Sequence, residues 1–343
     1  MRGDGRRARH SVRAHAHRSR SRVRLRHLRF TTRLRTGIVS SPGDKRPTLA
    51  GFDGSANAEA AVWWAADMAR ATGRPLRVIT SYSLPAMVGI GMSAGYVMPA
   101  LTASEVHEIN LKHHTMMNEL ADRVRHGCPG LTIETFIDQG APATAILKAS
   151  EDAATIVLGT RGVGSAQGLL MGSVSYAVSH RAKCPVVLVP ETSNRSVPGR
   201  VVVGIDGSTR SLQAAHWALS LAKCLHRELD VVTAWHYPYQ AMIPEAGMMM
   251  GPGVEELRPA LLRDAKDVAE RGRKQLEGPH GTKIMSKAVE GSAADVLTEE
   301  AGPQDVIVVS SKSHSLLASV LLGSTAVEVA HRSRGPVVVV HST

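Results

Sequence analysis

Short apolar runs and longer amphipathic stretches alternate along this chain. In the first half, runs rich in Val, Ile, Leu and Ala sit near 48–52, 76–81, 131–137, 155–159 and 185–189. Helix-period patterns lie between and after them, near 56–71, 104–126, 142–152 and 173–182. Runs such as Thr155-Ile156-Val157-Leu158 are continuously apolar rather than alternating, as expected of strands buried on both faces. Strands that alternate with helices predict βαβ units and a parallel sheet covered on both sides. Pro185 opens the last run, where a missing N–H costs least.

The second half repeats the first. Thr48-Leu49-Ala50-Gly51-Phe52-Asp53-Gly54-Ser55 corresponds to Val202-Val203-Gly204-Ile205-Asp206-Gly207-Ser208 from its second residue on. Ala61-Val62-Trp63-Trp64-Ala65 corresponds to Ala214-Ala215-His216-Trp217-Ala218, and Cys184-Pro185-Val186-Val187 to Gly335-Pro336-Val337-Val338. A unit this long is a duplicated domain, not a solenoid repeat of about 20–50 residues. The expected organisation is an Arg-rich head at 1–46, a first domain at 47–190, a linker at 191–199 and a second domain at 200–343. The Thr, Ser, Asn, Pro and Gly content of the linker is that of a loop.

Charge changes the picture only at the head. The chain has 343 residues and a formal net charge of +11, which by itself suggests a nucleic-acid partner. Residues 1–36, however, hold 13 Arg, no Lys and a single acid, Asp4, so the remainder is close to neutral. The head has no sustained apolar stripe and reads as disordered on its own. Arg without Lys resembles GC-rich sequence translated ahead of a start near Val39. A nucleic-acid-binding arm and an organelle transit peptide remain alternatives. Aromatic content of 3% leaves the cores to aliphatic residues. Cys128, Cys184 and Cys224 form no pairing motif, which with no signal-peptide pattern fits a reducing cytoplasm. No apolar run approaches membrane-span length.

The candidate chemistry lies after the fourth strand. Gly159-Thr160-Arg161-Gly162 is followed by nine residues and then Gly172-Ser173, which open a helix pattern. Glycines let backbone N–H groups approach a ligand, and a helix N-terminus offers unpaired donors with partial positive charge. The arrangement predicts a phosphate site, with the Ser173 hydroxyl as a further donor. A plain turn is the bland reading of any one of these glycines; the full spacing between strand and helix favours the site.

The G-x-x-G-x9-G-S spacing, the G-x-D-G-S after strand one, Gly140 and Gly291 before the third helix of each copy, and the C-P-V-V-x-V ending together resemble the universal stress protein family. The resemblance spans 47–341, and the two-copy form is similar to actinobacterial, especially mycobacterial, members. It implies two Rossmann-like α/β domains, each a five-stranded parallel sheet in order 3-2-1-4-5 flanked by helices. Strands 1 and 4 would then border the topological switch point, where such sheets bind ligands. It implies ATP, with Mg2+ as a companion, bound by Gly51, Phe52, Asp53, Ser81, Leu158, Gly159, Gly162, Gly172, Ser173 and Val174. In that reading Asp53 lines the adenosine pocket, Ser81 offers backbone bonds to adenine, and Gly162, Gly172, Ser173 and Val174 surround the phosphates. Helix capping is the alternative role of Asp53, although Ser55 is better placed for it. The resemblance also implies stress or dormancy-type signalling through nucleotide-dependent conformation or assembly, an intramolecular pseudo-dimer of the copies, and a homodimer.

The second copy departs from the pattern. Its corresponding residues are Asp206, Ala234, Ser310, Ser313, Gly323 and Ser324, with serines at the first two glycine positions. Side chains there are expected to weaken close backbone approach, the more so if the native φ is positive. The hydroxyls of those serines, Lys312 and His314 are the compensating possibility. Catalysis has little sequence support. There is no Walker lysine motif and no nucleophile elbow, so slow ATP hydrolysis or cyclic-AMP binding is the alternative to a simple ATP switch. An ATP-pyrophosphatase-like ligase is disfavoured because Gly51-Phe52-Asp53-Gly54-Ser55 lacks the glycine pair of that class. Met87, Met92 and Met98, and Met248-Met249-Met250, read as flexible flaps between strand 2 and helix 2 rather than metal ligands. His113-His114 have no partner at zinc spacing, and no metal is expected.

Overall fold

The computed structural model describes residues 45–83, 102–162, 171–193, 199–236, 254–279, 281–311 and 323–341. The Arg-rich head with Val39, the methionine segments, Lys312, Ser313 and His314 lie outside the described residues. The first copy runs β1 (Thr48–Gly51), α1 (Ala56–Thr72), β2 (Leu76–Tyr82), α2 (Ala103–Gly127), β3 (Ile133–Gln139), α3 (Pro142–Ala149), β4 (Thr155–Gly159), α4 (Ser173–Arg181) and β5 (Val186–Val189). The second repeats that order as β6 (Val201–Gly204), α5 (Thr209–Cys224), β7 (Leu229–Trp235), α6 (Val254–Leu276), β8 (Ile284–Glu290), α7 (Ala293–Glu300), β9 (Val306–Ser310), α8 (Ser324–Arg332) and β10 (Val337–Val340).

Local chemistry explains most boundaries. Ser55 caps α1, its side chain accepting the Ala58 N–H at 3.1 Å, and Ser208 caps α5 through the Ser211 N–H at 3.2 Å. Helix α1 stops at Gly73, which takes a left-handed φ of 65° and donates its N–H to the last-turn carbonyls. Thr102 and Glu105 form a reciprocal capping box at the start of α2. Gly54 and Gly207 turn the chain between strand and helix with φ of 87° and 80°, a region open to glycine and costly for other residues.

Each copy has strand order 3-2-1-4-5, and all pairings within a copy are parallel. The last strands are not free edges. β5 and β10 pair antiparallel, with Val187 opposite Val338, so the copies share one ten-stranded sheet. Pro185 and Pro336 sit just before these strands, and their carbonyls accept N–H groups from Ile156 and Ile307 at 2.9 Å. The helices form two layers. α1, α2, α5 and α6 cover one face around Val62, Leu120, Leu221 and Val338. α3, α4, α7 and α8 cover the other around Ile146, Leu188, Leu297 and Ile307. Each core passes without interruption from one copy into the other. At the seam the buried His341 ring lies 2.8 Å from the Ser179 carbonyl and 3.1 Å from that of Cys184.

Candidate functional site

β1 and β4 are neighbours, with Ala50 opposite Val157, and their connections leave toward opposite sides of the sheet. The crevice beyond their C-terminal ends is the switch point of the first copy. Three chain segments meet there: the β1–α1 turn, the residues after β4, and the start of α4.

Asp53 lies in the turn. Its Oδ1 accepts the Ser55 N–H at 3.0 Å, while Ser55 itself caps the helix. Asp53 is exposed and lies against Gly162, where an added Cβ would overlap its Oδ2. Gly159 is equally confined: a Cβ there would stand 2.5 Å from Asn57 Oδ1 and 3.1 Å from the Arg161 carbonyl. Neither glycine has a positive φ, so close approach of neighbouring atoms, not backbone conformation, is what demands glycine. Gly172 is different. Its φ is −71°, its N–H donates to the Thr160 carbonyl at 2.7 Å, and a Cβ would meet that carbonyl at an ordinary 3.5 Å. The bond from Gly172 to Thr160 ties together the two ends of the glycine segment.

Gly172 is the N-cap of α4, and no side chain caps that helix. The Ser173 side chain is exposed and Val174 half-buried. Among the described residues no side chain accepts from the first-turn N–H groups of α4, and the helix dipole adds positive character at that point. Such an end fits an anionic ligand.

Other expected site residues also make contacts within the fold. Phe52 is buried and its N–H donates to the Ile79 carbonyl at 2.9 Å. A Cβ at Gly51 would stand 2.6 Å from Leu158 Cδ2 and 3.1 Å from Ile146 Cδ1, so Gly51 lets α3 seat on the sheet. Gly204 does the same in the second copy against Leu297. Ser81 lies at the end of β2, where its hydroxyl donates to the Gly140 carbonyl at 2.6 Å, a bond that does not involve the backbone groups expected to face adenine.

Two residues near the glycines escaped the sequence reading. Asn57 is buried in the first turn of α1; its Nδ2 donates to the Val189 carbonyl at 3.0 Å and its Oδ1 accepts the Arg161 N–H at 2.8 Å. Ser175, buried in α4, donates to the Gly159 carbonyl at 2.7 Å. The signal for Asn57 was a polar residue on the apolar stripe of a helix start, a position that requires internal partners.

The second copy repeats the frame with other contents. Asp206 Oδ1 accepts the Ser208 N–H at 2.9 Å. Burial pushes this carboxyl up, but bonds from Ser208 and Ser211 outweigh it and hold Asp206 below its ordinary value. Ser310 ends β9 half-buried, and Ala234 occupies the position of Ser81 near the end of β7. Gly323 caps α8 without a side-chain bond, and Ser324 is exposed. His113, outside both crevices, points its Nδ1 at the Ile109 carbonyl at 2.8 Å and stacks on Tyr82. Among the described residues no three His, Cys, Asp or Glu side chains gather as a metal site, and no helix is long and apolar enough to cross a membrane.

Two doubly wound parallel units, each with a helix N-terminus lacking a side-chain cap bond beside its switch point, define a tandem α/β protein with two matching crevices. The family model described as the universal stress protein family matches residues 46–190 and again 199–341. The chain belongs to that family. A universal stress protein of Mycolicibacterium smegmatis is 33% identical over 298 residues, covering 85% of this chain and 96% of that protein. One from Mycobacterium tuberculosis is 28% identical over 307 residues, 88% of this chain and 98% of that protein. The crystal structure of a universal stress protein from Archaeoglobus fulgidus has the same fold, with a TM-score of 0.59 at 21% identity over 87% of this chain and 99% of its own.

Proposed function

We propose that the first copy binds an adenine nucleotide, ATP with Mg2+ being the leading candidate, and that occupancy sets the conformation or assembly of the protein in stress or dormancy-type signalling. The observation that carries this reading is the uncapped N-terminus of α4 beside Gly159 and Gly162 at the switch point. Phosphate oxygens would accept from the Ser173, Val174 and Ser175 N–H groups, and the adenosine would lie toward Asp53 and Leu158. Among the described residues of the crevice none has the arrangement of a nucleophile with its base, which favours a binding role over catalysis.

The first copy is the tighter site in this reading, because the second carries Ser310 and Ser313 where the first has Gly159 and Gly162. Calorimetric titration of ATP, ADP and cyclic AMP into nucleotide-free protein tests both statements. One tight site per chain is expected. No binding of any adenine nucleotide at millimolar concentration overturns the proposal; two equal sites overturn the ranking.

A further inference from the structure

Asn57 stands at the base of the glycine segment with both ends of its amide in use. Its donor reaches the carbonyl of Val189, at the end of β5, and its acceptor takes the N–H of Arg161, just beyond β4. The residue is 6% exposed. These bonds join residues more than 100 positions apart in sequence, so they hold tertiary geometry rather than a local turn. From the other side, Ser175 holds the Gly159 carbonyl. The residues on which any ligand of this crevice would rest are therefore bracketed between the first turns of α1 and α4.

The second copy lacks every member of this bracket. Arg210 occupies the second position of α5, as Asn57 does in α1. Ala326 occupies the third position of α8, as Ser175 does in α4. Ser310 stands where Gly159 does. The Cβ that Ser310 carries is the one Asn57 forbids at 159, since it would fall 2.5 Å from Asn57 Oδ1 and 3.0 Å from its Cγ. Asparagine with glycine, or arginine with serine, are the two combinations found, which is the pattern of one coupled exchange. Nearby, the buried Ser311 hydroxyl has no hydrogen-bond partner among the described residues.

We propose that Asn57 is the positioning residue of the first crevice: it and Gly159 act as one unit that holds residues 159–161 in the binding-ready conformation, and the second copy lost that unit as a whole. This rests on the nucleotide reading above for its ligand, but not for the coupling itself. A segment already held in place is not ordered at the expense of binding, so loss of the bracket should appear as weaker affinity in a protein that still folds.

The test uses the full chain with Asn57→Ala, Gly159→Ala and the double variant, each measured for melting temperature without ligand and for ATP affinity. Asn57→Ala should lower ATP affinity about tenfold or more, the scale of one buried hydrogen bond left unmade. Gly159→Ala should melt well below wild type, and adding Asn57→Ala should recover much of that loss, because the closest contacts, 2.5 and 3.0 Å, are with Asn57 and only the 3.1 Å approach to the Arg161 carbonyl remains. ATP affinity should stay weak in the recovered double variant, which a purely structural asparagine would not produce. Additive melting shifts together with unchanged affinity in Asn57→Ala overturn the proposal. If wild type binds no nucleotide, the functional reading and the positioning role fall, while the melting data alone still decide whether Asn57 and Gly159 are coupled.

Discussion

The Asp53 carboxylate lies directly against Gly162, with Oδ1 held by the Ser55 N–H and Oδ2 where a Cβ at 162 would have to sit. The segment after β4 is thereby folded onto the turn after β1, and the acidic residue and the second glycine of the motif are complementary surfaces. The glycine is needed whether or not a phosphate is present, because its first neighbour is protein.

Gly162→Ala should displace either Asp53 or the glycine segment. The fold should survive, since both residues sit at the mouth of the crevice rather than in either core, with a stability loss of about 1–3 kcal/mol. ATP affinity should fall by tenfold or more, about 1.4 kcal/mol or above. Calorimetric titration together with a melting curve separates the two effects. Unchanged affinity would mean that Gly162 and Asp53 do not form part of the ligand site.

His341 should make stability fall in acid. Burial pushes its pKa below the ordinary value of 6.5, against the opposing pull of the Ser179 and Cys184 carbonyls, and nearby His180 adds to the depression. The unfolded chain therefore takes up this proton first as pH falls through about 6.5, and the folded state loses stability until its own ring protonates. Denaturant unfolding of wild type and His341→Gln between about pH 7 and 5 reads the effect. The variant should show the shallower decline; parallel curves would show that His341 does not contribute.

The two copies should unfold together. β5 and β10 are hydrogen-bonded to each other, and both hydrophobic cores run across the seam. Separating the copies would expose a strand as apolar as Val337–Val340 to water, an aggregation hazard. Scanning calorimetry should give one transition whose calorimetric and van't Hoff enthalpies agree. Two resolved transitions would show that the seam couples the copies only weakly.

A chain beginning at Val39 should keep the melting temperature and ATP affinity of the full chain. The described fold starts at Lys45, and the Arg46 carbonyl is already tied to Arg74 Nη1 at 2.8 Å. A loss greater than about 2 kcal/mol on truncation would place the Arg-rich head within the fold.

What the sequence by itself determined is whatever depends on local pattern. Continuous apolar runs mark strands such as Val306–Ser310, because a strand covered on both faces needs apolar residues at every position. Ser55 and Ser208 announce helix starts, and the match between Gly51-Phe52-Asp53-Gly54-Ser55 and Gly204-Ile205-Asp206-Gly207-Ser208 announces two copies of one unit. Only the tertiary structure decided the rest. That Val187 faces Val338 in an antiparallel pair is invisible in either run alone, because any apolar strand can present a suitable edge. That Gly159 must be glycine on account of Asn57, and Gly162 on account of Asp53, depends on which atoms arrive within van der Waals distance from elements far apart in the chain. A glycine in a sequence signals that space is short; the identity of the atom that takes the space is a property of the packed fold.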